Sequence, residues 1–205
     1  MFRGLESLYT GNLTDSITQR GKLVTSWDDD AVQKIECALS SADKDILAAW
    51  VVSPDSRYQE ALLAIAERLR RIQPITEKTK LYRGIGSSPK TQDLMGLAES
   101  DGLRGIRLSD GVSIGDGAAY LNERPLSFSR SLDIAKTYGP LVVSLAIDAD
   151  VAEQTPDLCL LSMTPEVCLV TQRYTSPFDD CYCADEVVLL TTGREQYYRL
   201  EAYTP

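Results

Sequence analysis

Apolar residues recur at helical spacing in the first third of the chain. The acids Asp28–Asp30 provide an N-cap and a negatively charged first turn. The segment Val32–Trp50 therefore predicts one interrupted helix or two short helices, with a break near Ser40–Ser41. A further helix is predicted over Tyr58–Ile72, where apolar residues lie on one face and charged residues cover the rest. The apolar face consists of Ala61, Leu62, Ile65, Ala66 and Leu69.

Short apolar runs dominate the remainder of the chain and predict strands. These runs are Lys80–Gly86, Pro125–Ser129, Leu141–Ile147, Val167–Val170, Val187–Leu190 and Gln196–Tyr203. Helices are predicted near Asp93–Ala98, Gly117–Leu121 and Leu132–Tyr138. Helices come first and strands later, so the fold class is α+β with an N-terminal helical layer. We expect residues 1–75 to form a helical region packed on a core of residues 76–205, within one structural domain.

Composition places the chain among ordinary globular proteins and limits its partners. Of 205 residues, 43% are hydrophobic and 25% are charged, with a net charge of −9. An acidic chain has no overall attraction for nucleic acid or for an anionic membrane, and no apolar run has membrane-spanning length. An anionic ligand would therefore be held by a few arginines in a pocket.

The chemistry-bearing residue types narrow the choice of mechanism. Histidine is absent, which excludes serine–histidine and cysteine–histidine catalysis and every histidine-containing metal site. Five cysteines are an odd number, and no signal-peptide pattern precedes them. These features predict a reducing, cytoplasmic setting in which carboxylates, lysine, tyrosine or cysteine carry the acid–base chemistry.

Three short motifs occur in a fixed order in the later part of the chain. They are Leu81–Gly84, with the aromatic-Arg-Gly sequence; Leu126–Ser129, with Ser-x-Ser; and Glu186 at the head of Val187–Leu190. A predicted helix, Leu132–Tyr138, follows the serines. This triplet resembles the R-S-E class of mono-ADP-ribosyltransferases of the T-even phage and bacterial-toxin type. The resemblance covers about residues 79–203 and implies a mixed, mostly antiparallel two-sheet core.

The resemblance implies a role for each motif in a reaction that uses NAD as substrate and needs no metal. Glu186 would stabilise the oxocarbenium-like cation that forms when the nicotinamide–ribose bond breaks. Ser127 would hold that carboxylate in place, and Arg83 would clamp phosphate or ribose oxygens with its planar fork. The residues assigned to NAD binding are Arg83, Gly84, Ser127, Phe128 and Ser129. Within this set, the backbone of Gly84 would hold the nicotinamide amide, and Ser129 would support the neighbouring backbone.

The motifs do not identify the acceptor of the ADP-ribose group. Arginine-modifying members carry an acid two residues before the catalytic glutamate, where this chain has Ala184. In an extended strand Ala184 would share a face with Glu186, and Asp185 would point away unless a bulge or turn reoriented it. The loop expected to meet the target contributes Phe178, Asp180 and Tyr182, together with Asp185. An arginine acceptor therefore stays open.

Three functions follow from these motifs. The first is transfer of ADP-ribose to a host or target-cell protein, by an enzyme of the host-cell cytoplasm or one delivered into another cell. The second is the same chemistry on a nucleic acid base, a small molecule or water, although the low pI of about 4.6 disfavours nucleic acid. The third is a non-catalytic interaction module with this fold, which would use its N-terminal helices to engage a partner.

Overall fold

Helices account for most of the described residues in the first third of the protein. The computed structural model describes residues 22–52, 55–74, 78–85, 103–104, 117–122, 124–147, 159–171, 182–183, 185–193 and 195–203. Within these ranges the α-helices are α1 (Asp29–Ala38), α2 (Ser41–Val52), α3 (Gln59–Arg70), α4 (Leu132–Lys136) and α5 (Pro165–Thr171). A single 3₁₀ turn, Ser56–Tyr58, precedes α3.

Side-chain caps set the boundaries of the first two helices. The Asp28 carboxylate accepts hydrogen bonds from the backbone N–H groups of Asp30 and Ala31, at 2.9 and 3.3 Å, and so begins α1. Ser40 and Asp43 cap each other reciprocally at the start of α2, because each side chain accepts a hydrogen bond from the other residue's backbone N–H. The predicted break near Ser40–Ser41 is thus confirmed as a boundary between two helices.

The described strands form one large sheet and one small ribbon. The strands are β1 (Lys22–Leu23), β2 (Thr79–Ile85), β3 (Leu103–Arg104), β4 (Gly117–Asn122), β5 (Leu126–Ser129), β6 (Leu141–Ile147), β7 (Leu160–Met163), β8 (Tyr182–Cys183), β9 (Glu186–Leu189) and β10 (Glu195–Tyr203). Eight of them form a sheet in the order β3-β4-β10-β6-β2-β5-β9-β7, and β1 pairs with β8. Neighbouring strands in the described part of the chain are antiparallel. The fold is therefore α+β, as predicted.

Each face of the sheet has its own apolar cluster. Alternation along β9 places Val187 and Leu189 in a cluster built from strand residues, together with Phe128 and Tyr198. Val188 lies on the opposite face, in a second cluster with side chains from α1, α2, α3 and α5. The early helices therefore cover the face of β9 from which Val188 projects.

Two secondary-structure predictions were wrong, both because tertiary contacts outweigh local preference. Residues Gly117–Leu121, predicted as helix, form β4, whose backbone pairs with β10 through Tyr197 and Ala119. Residues Val167–Val170, predicted as strand, belong to α5. A helix start is present there in sequence, since Thr164 accepts a hydrogen bond from Val167 N–H and Pro165 follows it. Burying Val167 and Cys168 against the early helices stabilises this helix despite its β-branched residues.

Other parts of the chain were not foreseen or lie outside the described residues. No strand was predicted at Leu160–Met163, where β7 forms the edge of the described sheet next to β9. The predicted helix near Asp93–Ala98 lies outside the described residues. In the described part of the chain, no helix has both the length and the apolar character needed to cross a bilayer.

Candidate active site

Two neighbouring strands at the centre of the large sheet, β2 and β5, are joined by a single residue pair. Strand β2 pairs with β6 along its whole length, but it pairs with β5 only at Tyr82 and Ser129. Beyond that pair the Arg83 side chain replaces the backbone ladder, because its Nη1 donates a hydrogen bond of 2.6 Å to the Ser127 carbonyl oxygen. We call this region, where an arginine side chain bridges the two strands, the β2–β5 gap.

Glu186 lies beside this gap at the first position of β9. The register pairs Glu186 with Ser129 and Val188 with Ser127. Directly opposed residues of antiparallel strands project from the same face, so Glu186, Ser127 and Ser129 share one face.

Arg83 projects from the opposite face of the sheet, which it shares with Leu81 and Ile85 of β2. It joins the group through its hydrogen bond to the Ser127 carbonyl and through the effect of its charge on the Glu186 carboxyl. Three residues separated by 44 and 59 positions in sequence therefore meet at the gap.

The Glu186 carboxyl group is surrounded by protein although the residue as a whole is half-buried. Burial raises the pKa of this carboxyl above its ordinary value. The Ser127 hydroxyl, the Trp50 indole N–H and the positive charge of Arg83 each act to lower the pKa, but together they do not cancel the effect of burial. The carboxyl group is thus held in a largely buried site with polar hydrogens and one cation around it.

Trp50 also belongs to this group, although none of the three sequence motifs contains it. It belongs to α2 and is only 1% exposed. In sequence it continues the apolar pattern of the helix and therefore indicates core packing. The tertiary structure alone brings its ring to the carboxyl group, because α2 packs on the face of β9 from which Glu186 and Val188 project.

Two polar atoms in this group have unused hydrogen-bonding capacity. Ser127 Oγ and Trp50 Nε1 are buried, and within the described residues neither has a partner at normal hydrogen-bond geometry. Both lie close enough to Glu186 to lower the pKa of its carboxyl group. Native proteins rarely leave buried polar atoms unpaired, and functional sites are a recognised exception.

Asp185 lies in a turn, which is the exception that the expectation of an extended strand allowed. Its φ of 53° lies in the left-handed region, which ends the extended geometry immediately before Glu186. The Asp185 carboxylate accepts a hydrogen bond of 3.3 Å from Arg130 Nη1, and the Asp185 carbonyl accepts one of 3.0 Å from Arg130 N–H. A turn therefore does reorient Asp185, but its carboxylate contacts Arg130. Ala184 lies outside the described residues.

Gly84 allows close packing between β2 and α4, a role that its sequence motif did not indicate. A Cβ atom at this position would lie 2.1 Å from the Ala135 carbonyl oxygen and 3.0 Å from Gly139 N. Only glycine therefore lets α4 approach β2 this closely. Gly84 also pairs with Val142 of β6, which places its backbone at the end of β2 near the gap.

The remaining predicted NAD-binding residues divide between the two faces of β5. The Phe128 ring is 3% exposed and stacks on Tyr198, with ring centroids 5.9 Å apart, on the face away from Ser127. The structure thus places its side chain in the core and leaves its backbone beside the gap. The Ser129 hydroxyl accepts a hydrogen bond of 3.0 Å from Ser131 N–H and fixes the backbone that leads into α4.

The predicted target loop is largely outside the part of the chain that the structure describes. Phe178 and Asp180 lie in the undescribed stretch 172–181. The backbone of Tyr182 belongs to β8 and pairs with Leu23 of β1. The predicted roles of these residues stay predictions.

The donor set and the comparisons complete the description of the site. Among the described residues, no group of three histidine, cysteine, aspartate or glutamate side chains is arranged to hold a metal ion. The polar set at the β2–β5 gap is one guanidinium, one hydroxyl, one indole N–H and one carboxylate.

Comparison with protein-family models, with curated proteins and with solved structures found no match to this chain.

Proposed function

We propose that this protein is an NAD-dependent mono-ADP-ribosyltransferase that transfers ADP-ribose to a protein acceptor and releases nicotinamide. The observation that carries the proposal is the convergence of Arg83, Ser127 and Glu186 at the β2–β5 gap. These are the three residues that the ordered motifs single out. Motif residues with purely local roles would have no reason to meet at one point of the sheet.

The arrangement suits cleavage of the bond between nicotinamide and ribose. The bonding electron pair leaves with nicotinamide, whose ring nitrogen loses its positive charge, and the ribose carbon becomes cationic. A buried carboxylate stabilises that cation more than it stabilises neutral ribose, so Glu186 lowers the barrier. The acceptor nucleophile then bonds to the ribose carbon and releases its proton to water.

Arg83 supplies the local positive charge that an acidic protein needs for a dinucleotide ligand. Its guanidinium bridges β2 and β5 through the Ser127 carbonyl and also lowers the pKa of the Glu186 carboxyl. A planar fork with five N–H donors can bind a phosphate or ribose oxygen while it keeps one hydrogen bond to the backbone. The proposal assigns NAD contacts to Arg83, Ser127 and the Gly84 backbone.

Transfer of label from tagged NAD tests the proposal directly. Wild type, Glu186→Gln and Glu60→Gln would be incubated with lysate, with and without nuclease, and nicotinamide release would be measured in parallel. Glu60 is exposed on α3, so its isosteric change is a matched control. We expect Glu186→Gln to lose at least about 100-fold of the transfer rate, because a transition-state charge contact is removed, and Glu60→Gln to keep it.

Each alternative function gives a distinct result in this experiment. Label that disappears on nuclease treatment would indicate a nucleic acid acceptor, and nicotinamide release without labelled macromolecules would indicate a small-molecule acceptor or hydrolysis. A Glu186→Gln variant as active as wild type would contradict the assigned role of the carboxylate. Intact NAD with wild-type protein in every lysate would favour the interaction module.

A further inference from the structure

The two tryptophans of this chain use their indole N–H groups in different ways. Trp27 is 48% exposed and donates a hydrogen bond of 2.9 Å to Asp29 Oδ1. Trp50 is 1% exposed, and its Nε1 has no hydrogen-bond partner of normal geometry among the described residues. An indole nitrogen can only donate, so the buried N–H of Trp50 needs an acceptor that lies close to it.

The surroundings of Trp50 identify that acceptor. Its ring belongs to the apolar cluster that includes Val188 and Leu190, on the face of β9 from which Glu186 projects. The polar groups near it among the described residues are the Glu186 carboxyl and the Ser127 hydroxyl, which also has no hydrogen-bond partner of normal geometry there. A carboxylate has two oxygens with about four acceptor sites, so it can accept from both groups and still face a substrate.

We propose that Trp50 is a positioning residue for Glu186: its buried indole N–H, on a helix of the N-terminal region, fixes one carboxylate oxygen so that the other faces the ribose. This inference rests on the proposed transferase function and deepens it. Charge-assisted hydrogen bonds between buried groups are strong and directional, so one from Trp50 can hold a carboxylate oxygen in a fixed position. The N-terminal helices are then part of the catalytic apparatus.

The proposal predicts a specific change in the pH dependence of the reaction. Removing a donor to the ionised form makes ionisation of Glu186 harder, so the carboxyl keeps its proton to a higher pH. The charged and titratable groups around Glu186 in the described part of the chain are Arg83 on β2, the Cys183 thiol on β8, Asp185 in the preceding turn and Arg130, which forms an ion pair with Asp185. Because all four stay in place, the acidic limb of the kcat profile should move to higher pH without a change of shape.

The test uses the full-length protein with Trp50→Phe and with 3-benzothienylalanine at position 50, in which sulfur replaces the N–H and the ring shape is kept. Trp27→Phe is the matched control, because it removes a surface indole N–H that is already bonded to an acid. We expect kcat to fall about tenfold or more, the usual effect of one lost charge-assisted hydrogen bond. The KM for NAD should change less than about twofold, and the control should match wild type.

A second readout separates this inference from the proposed function. The Glu186 carboxyl can be titrated by NMR in protein labelled with ¹³C-glutamate, and Glu186→Gln identifies its resonance. A shift of the Glu186 titration to higher pH in both Trp50 variants supports the contact even if wild type shows no transferase activity. An unchanged titration, or an unchanged kcat and pH profile in the benzothienylalanine protein, would overturn the positioning role.

Discussion

A carboxylate whose pKa is raised by burial lowers the stability of the fold at neutral pH. At the Glu186 carboxyl, the effect of burial on the pKa exceeds the combined opposing effects of Ser127, Trp50 and Arg83. The folded protein therefore favours the protonated form more than the unfolded chain does, and ionisation at neutral pH costs folding free energy. Such a cost is typical of residues kept for function and not for stability.

Glu186→Gln should therefore be more stable than wild type at neutral pH. Glutamine resembles the neutral acid, so the variant avoids burying a charge, and we expect its free energy of unfolding to exceed that of wild type. The sign follows from the raised pKa. Below the ordinary pKa of 4.5 both proteins are neutral at this position and should be equally stable. The free energy of unfolding of wild type should then fall relative to that of the variant as pH rises through the raised pKa.

Urea unfolding of both proteins across this pH range measures the effect. Glu60→Gln, on the exposed face of α3, provides the baseline for an isosteric change in solvent. A wild-type protein more stable than Glu186→Gln at neutral pH would mean that the contacts of Glu186 outweigh its burial.

Packing between α4 and β2 fixes the backbone on both sides of the site. The side chain of Ser131 caps α4 and accepts a hydrogen bond from Ile134 N–H at 3.4 Å, and the Ser129 hydroxyl holds the backbone before the cap. The helix then lies directly on Gly84. A separate contact lies next to the turn before β9: the sulfur atoms of Cys168 on α5 and Cys183 on β8 are 3.2 Å apart.

Gly84→Ala should separate α4 from β2. The added methyl group would lie 2.1 Å from a backbone oxygen, which cannot move without shifting the helix, so we expect a loss of about 1–3 kcal/mol or more. Gly193→Ala is the comparison, because it meets no atom within 4 Å but has a φ of 74°. That variant should lose only the conformational cost of about 1–2 kcal/mol.

Thermal and urea unfolding of the two alanine variants distinguish clash from conformational strain. If Gly84→Ala unfolds at the same urea concentration as wild type, α4 does not depend on close contact with this strand. A loss of transferase activity in Gly84→Ala at temperatures where it stays folded would show that the spacing of α4 also matters to the site.

The whole protein is acidic, so the proposed binding of a dinucleotide would depend on local positive charge. With a net charge of −9, long-range attraction for phosphate is absent. Arg83 is the cation that both the sequence motifs and the β2–β5 gap place beside Glu186. Binding of NAD to the folded state should then appear as added stability of the entire molecule.

Arg83→Lys should weaken this stabilisation although the charge is kept. NAD at about 100 times its Kd should raise the unfolding free energy of wild type by about 2.7 kcal/mol, and Glu186→Gln should retain most of that gain. At the same NAD concentration we expect a clearly smaller gain for Arg83→Lys, because a compact ammonium cannot bind two oxygens in a planar fork. Arg70→Lys, on an exposed position of α3, is the control. Equal stabilisation of all four proteins would argue against NAD contact by Arg83.

The elements that were predicted correctly share a strong local signal. The α1–α2 boundary has side-chain caps at Asp28 and Ser40, and Leu141–Ile147 is an apolar run of strand length. The errors fell where local preference is weak. Residues Gly117–Leu121 become a strand only because β10 lies beside them, and Val167–Val170 becomes helical because the early helices bury it.

The candidate site shows the same division. The sequence alone determined its chemical content, because Arg83, Ser127 and Glu186 lie in recognisable short motifs and the absence of histidine leaves acid–base chemistry to carboxylates, lysine, tyrosine or cysteine. Only the tertiary structure decided the opening between β2 and β5, the left-handed turn at Asp185 and the approach of Trp50. These depend on strand register and helix packing, which join residues far apart in the chain and leave no local pattern in the sequence.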